Sequence, residues 1–456
     1  MENNKSTVSR LSLKERIGYG LGDFSCNIIY TAMTAYLLFY YTDYAKVSAG
    51  AVGIIMLISR IFDGVSDIFM GNIVDNTHTE KGKARPWILR MAFPFAISGI
   101  LLFSVPQSWS TAMKYVYIFI TYNLTSTVVY TAINVPYSSL NALMTQDPYE
   151  RSVLAIFRNL LATLGTFVIN SFTLSLVEFF GNEASSWTKT FILFGCIAAL
   201  GFILTYKWTE ERVKPVNKNK SENIKLSVGL KALTKNKYWI MMTGILCLLF
   251  INMALQFGSS VYFAQSVLGD KNIAQTMNGV MNISQIVFMF VVANFVKRIG
   301  KKNSMFIGLI LQTIGVLILV FVKNTNIVTY ISSIVRGIGG SFSGAVMWAM
   351  VSDTVDYGEW KTGLRMEGLT NSASSFGYKV GNGVGTALLG AILNIGGYVG
   401  GQAIQSAAAV RSIHTAFWVL PTIITIAILI ILVFYNLDKE FSGIINDLNK
   451  RREEAR

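Results

Sequence analysis

The chain has 456 residues, of which 52% are hydrophobic and 14% charged, with a net charge of +14 and a mean hydropathy of +0.47. A water-soluble protein carries about a quarter charged residues, and here the apolar residues gather into blocks of about 20 or more, long enough to cross a hydrocarbon core. Composition therefore excludes an ordinary soluble domain and predicts an all-α polytopic membrane protein.

Twelve spans are expected in chain order, at about 17–41, 50–75, 87–106, 114–144, 152–179, 188–208, 238–266, 273–297, 303–322, 327–352, 370–396 and 412–436. The polar N-terminus has no short apolar core with a small-residue cleavage site, so no removable signal peptide is expected. With both termini placed inside, the outward loops carry only Lys46, Lys114, Lys189, Lys271, Lys323 and Arg411. The inward segments hold most other basic residues: Lys5 to Arg16, Lys81 to Arg90, a run from Lys207 to Lys237, Lys297 to Lys302 and the tail. This positive-inside bias explains the charge without a nucleic-acid partner and predicts a multi-pass plasma-membrane protein with both ends in the cytoplasm. The stretch "TEERVKPVNKNKSENIKLSVGLKALTKN" reads as a cytoplasmic linker, residues 209–236, between a six-helix bundle at 1–208 and a second bundle with a tail at 237–456. Its second half can form a short amphipathic helix. "GNIVDNTHTEKGKARP" after the second span and "VANFVKRIGKKNSM" after the eighth echo one another, as in transporters built from two related halves.

Ionisable residues interrupt the spans. Asp23 lies in the first, Arg60, Asp63 and Asp67 in the second, Arg158 in the fifth, Arg336 in the tenth and Lys379 in the eleventh. A charge at the centre of the bilayer costs about 2.5–3.5 kcal/mol, so such residues normally face the bundle interior. Arg60, Asp63 and Asp67 share one helical face at i, i+3 and i+7. Two acids a turn apart leave one carboxylate in need of a cation or proton, which makes Asp63 and Asp67 a candidate site for Na⁺ or H⁺. The plainer account is a set of internal salt bridges, with Arg60 as a counter-charge, and Arg336 is read as structural. Asn27, Tyr30, Asn134, Asn252, Gln256, Tyr262 and Tyr378 add neutral polar groups, with Asn252 and Gln256 on one face. Amides, acids and rings together suit a sugar, although single amides often serve helix association. The cysteines and histidines have no metal or nucleophile spacing, and no phosphate-binding loop is present. No cofactor is expected beyond the coupling cation, and no enzyme activity.

"GYGLGDFSCN", "SRIFDGVSDIFMGNIVDNTHTEKGKARPWIL", "INVPYSSLNALMTQDPYERSVLAIFR" and "DTVDYGEWKTGLRMEG" resemble, in order and over nearly the whole chain, the glycoside–pentoside–hexuronide:cation symporters. These are the melibiose-permease relatives of the major facilitator superfamily, and the likeness is closest to the xyloside and glucuronide branch. The resemblance implies two six-helix bundles, alternating access and sugar uptake with H⁺, Na⁺ or Li⁺. It assigns Asp63, Asp67 and the hydroxyl of Thr131 to the cation, and Asp23, Arg158 and Lys379 to the sugar. Tyr30, Asn134, Asn252 and Gln256 complete the expected substrate set. Asn134 stands where melibiose permease has an acid and Ser138 where it has an aromatic, which argues against α-galactosides; Ser66 replaces an amide, which leaves the choice between Na⁺ and H⁺ open. Asp353, Asp356, Glu359, Lys361 and Arg365, in an expected cytoplasmic loop, read as an inner-gate ion-pair cluster. An uncoupled facilitator, or a carrier of an unrelated polar solute, is the alternative that the acid pair argues against.

Overall fold

The computed structural model describes residues 11–75, 77, 79–213, 231–322, 326–364, 367–402 and 404–454, and they form helices without a strand. In chain order these are α1 (Leu13–Ala35), α2 (Ala49–Asp75), α3 (Arg85–Leu102), α4 (Thr111–Met144), α5 (Pro148–Phe179) and α6 (Ala184–Trp208). Then follow α7 (Lys237–Ser266), α8 (Asn272–Ile299), α9 (Lys301–Phe321), α10 (Asn326–Thr362), α11 (Glu367–Ile395), α12 (Ala407–Phe434) and α13 (Leu437–Glu454). Among the described residues, eight helices are long and apolar enough to cross a membrane: α3 to α7, α9, α10 and α12. The other four expected spans coincide with α1, α2, α8 and α11.

Polar side chains set where the helices begin. Ser12 and Glu15 form a reciprocal capping box at α1, and Ser110, Asp147, Asn236 and Ser406 accept from the first-turn amides of α4, α5, α7 and α12. Each cap satisfies a backbone N–H that has no partner within its helix. Large apolar side chains such as Phe93, Ile97, Ile120, Phe290, Ile426 and Ile430 point outward and stay exposed. A helix that is apolar all round belongs in lipid.

The chain divides into two compact units, Met1–Tyr40 with Ile61–Asn219, and Tyr41–Arg60 with Lys220–Arg456. Linear order alone would have put Tyr41–Arg60 with the first unit. It packs on α11 instead: Ser48 Oγ donates to Asn394 Oδ1 at 3.1 Å, and a Cβ on Gly53 would stand 3.2 Å from Ala387 Cα. A residue as small as glycine lets two helix backbones come this close. Of the expected linker, residues 214–230 lie outside the described residues; residues 231–234, in its amphipathic second half, are helical, with Ala232 and Leu233 buried against Trp239 and Leu364.

The echo between the two halves has a structural counterpart within each unit. Glu211, just beyond α6, accepts from the backbone N–H groups of Lys83, Ala84 and Arg85 at the start of α3, at 2.8–2.9 Å. The Arg85 guanidinium returns a 2.8 Å bond to the carbonyl of Tyr206 at the end of α6. Asp438, just beyond α12, accepts from Lys302 N–H at the start of α9 at 2.8 Å, and Lys302 Nζ donates to the carbonyl of Val433 at the end of α12 at 2.9 Å. In each unit a carboxylate caps the positive end of one helix while a cation from that helix caps the negative end of another. Glu211→Ala is expected to lower stability by about 0.5–2 kcal/mol, the usual loss on removing a cap. Glu211→Gln, which keeps an acceptor, should cost less. An alanine variant with an unmoved unfolding midpoint would remove the clamp from the account.

Candidate functional site

In the first unit, Asp63 is 2% exposed on α2. Its Oδ1 accepts from Thr127 Oγ1 at 2.5 Å and from Ser126 Oγ at 3.3 Å. Both hydroxyls come from α4, which widens into a π-turn over Leu124–Val129. Such a turn inserts a residue and rephases the helix, a device found often at functional positions. Thr131, one turn on and 3% exposed, pairs its hydroxyl with Ser66 Oγ at 3.2 Å. Carboxylate and hydroxyl oxygens are the ligands a hard monovalent cation takes, and the same carboxylate can load a proton. The Asp67 side chain lies outside the described residues. Ser126 and Thr127 escaped the sequence reading; the signal was the hydroxyl-rich run "LTSTVVYT" in an otherwise apolar span.

A second cluster of the same unit joins α1, α4 and α5. Arg158 Nε donates to Asp23 Oδ2 at 2.8 Å. The guanidinium lies 5.4 Å from the centre of the Tyr137 ring. That ring stacks on Tyr19 at 5.0 Å, and its hydroxyl donates to the Tyr19 carbonyl at 2.8 Å. Gly22 makes room for it, since a Cβ there would overlap the ring. Asn27 Nδ2 donates to the Asp23 carbonyl at 2.8 Å. Asn134 is half-buried, and Tyr30, also half-buried, faces Tyr130 with ring centres 6.0 Å apart. Tyr137 is the residue that sequence reasoning missed here. It adjoins Ser138, where a missing aromatic had been noted.

The second unit holds the remaining candidates. Arg60, 8% exposed, donates through Nη2 to Asn382 Oδ1 at 3.0 Å. Lys379 is half-buried on α11, next to Tyr378, whose ring packs against Phe250 and Trp348 at 4.8 and 5.8 Å. The expectation that Asn252 and Gln256 offer their amides to a solute is revised. Asn252 Nδ2 donates to the Pro421 carbonyl and to Thr425 Oγ1 on α12, and its Oδ1 accepts from Gln256 Nε2 at 2.8 Å. Gln256 Oε1 in turn accepts from Arg336 at 3.1 Å. Both amides tie helices together, because their polar atoms already have partners on α7, α10 and α12.

The expected cytoplasmic loop "DTVDYGEWKTGLR" is largely helical, continuing α10 to Thr362. Asp353 pairs there with Lys301 from the first residue of α9, at 2.7 and 2.5 Å to its two oxygens, a partner that sequence spacing did not indicate. Asp356 and Glu359 are half-buried and Lys361 is exposed, while Arg365 lies outside the described residues. Helix α13 docks on this end of α10: Trp360 Nε1 donates to Asp447 at 3.3 Å, and Arg451 to the Trp360 carbonyl at 3.1 Å.

Between α1 and α2, Asp43 accepts from Thr42 Oγ1, the Tyr398 hydroxyl and the Gly401 N–H at 2.7–3.1 Å. Burial pushes its carboxyl above the ordinary carboxylate range, against the pull of those hydrogen bonds and of Lys46.

Long apolar helices in two compact units, with ionisable groups held among hydroxyls and aromatic rings inside them, define a polytopic membrane transporter. The chain belongs to the MFS/sugar transport protein family, whose model matches residues 18–439. It is 37% identical to the isoprimeverose transporter of Lactiplantibacillus pentosus, over 96% of this chain and 91% of that one. It is 34% identical to the glucuronide carrier protein homolog of Escherichia coli strain K12, over 97% of each. Among solved structures, the nucleoside transporter NupG superposes with a TM-score of 0.62 at 13% identity, covering 92% of this chain and 100% of that one, a likeness of fold alone. The family and these relatives make the chain a membrane transporter of sugars and not an enzyme.

Proposed function

We propose that the protein is a symporter that imports a glycoside, a xyloside or a glucuronide, together with H⁺ or Na⁺. The carrying observation is Asp63, an ionisable carboxylate inside a long helix, buried and met by two hydroxyls from the π-turn of α4. A carrier without coupling needs no such group. In this reading Asp63, Asp67, Ser126, Thr127 and Thr131 take the cation. Asp23, Arg158, Tyr30 and Asn134 take the sugar, with Lys379 contributing from α11. Asp353, Asp356, Glu359, Lys361 and Arg365, with Lys301 now added, form the gate on the cytoplasmic side. In this reading both termini are cytoplasmic, an orientation that the bias of basic residues supports, and the membrane is the plasma membrane. The names of the two relatives, one for isoprimeverose and one for a glucuronide, support the substrate class.

The test is sugar-induced pH change in a lightly buffered cell suspension, with and without Na⁺. Alkalinisation on adding xyloside or glucuronide, independent of Na⁺, is the expected result. An absolute Na⁺ requirement with no proton movement would assign the cation to Na⁺, and transport of α-galactosides alone would overturn the substrate. A glucuronide brings its own negative charge. Lys379→Ala is therefore expected to weaken glucuronide binding by about tenfold or more, the worth of a charged hydrogen bond, and neutral xyloside binding much less. Equal losses for both sugars would take Lys379 off the carboxylate.

A further inference from the structure

Tyr19, in the motif "GYGLGD", carries a buried hydroxyl that no hydrogen bond engages as the helices are packed. Tyr19 and Asp23 stand at i and i+4 on α1, so they share one face. Tyr137 and Asn141 stand at the same spacing on α4. The backbones of α1 and α5 meet closely here: a Cβ on Gly20 would stand 2.7 Å from the carbonyl oxygen of Phe157, the residue before Arg158. Tyr19 is fully buried and its ring stacks on Tyr137. Its hydroxyl lies beside two side chains, the Asn141 amide and the Arg158 guanidinium. Asn141 Oδ1 is also buried without a hydrogen-bond partner.

Donor and acceptor types dictate how these three groups combine. A guanidinium only donates, so the Tyr19 oxygen must turn a lone pair toward Arg158. The hydroxyl proton then points away, and a buried proton of this kind needs an acceptor. Asn141 supplies one in Oδ1. Arg158 gains from such a neighbour. Asp23 holds its guanidinium through Nε, and one bond leaves a planar fork able to swing. The Tyr137 ring, 5.4 Å away, adds attraction but no directed hydrogen bond. A second hydrogen bond fixes the direction of the fork.

We propose that Tyr19 is a positioning residue for the sugar site. Arg158 N–H donates to Tyr19 Oη, and Tyr19 O–H donates to Asn141 Oδ1. Tyr19 is fully buried and does not touch the solute; it acts by aiming Arg158, which is partly exposed and keeps further N–H groups for sugar hydroxyls. Hydrogen bonds linked in a chain strengthen one another where the dielectric is low. This role rests on the reading of Asp23 and Arg158 as sugar-binding groups, and it adds Tyr19 and Asn141 behind them.

Tyr19→Phe keeps the ring and its stack on Tyr137 and removes the hydroxyl. Calorimetry on the purified full chain is expected to show xyloside and glucuronide binding weakened alike, by about threefold to tenfold, the range for losing one neutral hydrogen bond. In transport assays the sugar KM should rise by the same factor while the maximal rate is retained. Asn141→Ala should act in the same direction. The double variant should bind sugar no more weakly than Tyr19→Phe, since both substitutions break one chain, whereas independent losses would add. Parent-like sugar affinity in Tyr19→Phe would overturn the proposal. So would a lowered maximal rate at unchanged KM, or losses that add in the double variant. A parent that binds both sugars while Tyr19→Phe binds them equally well leaves the sugar-site reading standing and removes Tyr19 alone. A parent that binds neither sugar would overturn both.

Discussion

Asp63→Asn is expected to abolish uphill accumulation of the sugar while downhill exchange survives. The substitution keeps the shape of the side chain and removes its charge. The parent carboxylate is buried on α2 and accepts from Ser126 and Thr127. An amide there neither loads a proton nor neutralises a metal cation, so solute and charge move independently. One elementary charge crossing 100 mV is worth about 2.3 kcal/mol, which at about 1.4 kcal/mol per tenfold is a concentration ratio near fiftyfold. That whole ratio should vanish, and Asp67→Asn should behave alike. Thr127→Val removes one hydrogen bond to the charged group, worth about 1.5–3 kcal/mol, and should weaken cation affinity by about tenfold or more while coupling persists. Accumulation by Asp63→Asn at the parent level would refute the coupling role.

Asp23→Ala is expected to weaken sugar binding by about ten- to a hundredfold, the range for losing a hydrogen bond to a charged group, with a smaller change in cation binding. Asp23 and Arg158 hold each other at 2.8 Å, and both keep some exposed surface, 13% for Asp23 and 34% for Arg158, so a solute can reach them. Arg158 is steadied from the other side by Tyr137, itself stacked on Tyr19. Removing Asp23 loses one charged partner for sugar hydroxyls and frees Arg158 to turn, so two contacts suffer at once. Tyr137→Phe removes only the bond to the Tyr19 carbonyl and should cost less. Calorimetry with sugar and cation separately distinguishes these outcomes; an unchanged sugar affinity for Asp23→Ala would take the residue out of the site.

The amino-acid sequence by itself determined the membrane class, the helical spans and the placement of Asp63 and Asp67 on one face of α2, because these depend on composition and on periodicity within one element. The motif resemblance carried the sugar-transport reading, and the family match bore that out. Partners across helices were decided by tertiary structure. The π-turn of α4 changes the phase of the helix, so Ser126 and Thr127 reach Asp63 where the family resemblance drew attention only to Thr131. The spacing of Asn252 and Gln256 was read correctly as a shared face, but the face is turned toward α12 and Arg336, which no local pattern records. Asp353 meets Lys301 rather than its neighbours in the same motif, and Glu211 and Asp438 each cap a helix far away in the chain. Hydropathy and helical period act within one segment. Which buried polar atom meets which is chosen when helices pack, since each must find an acceptor or donor in a medium that offers no water.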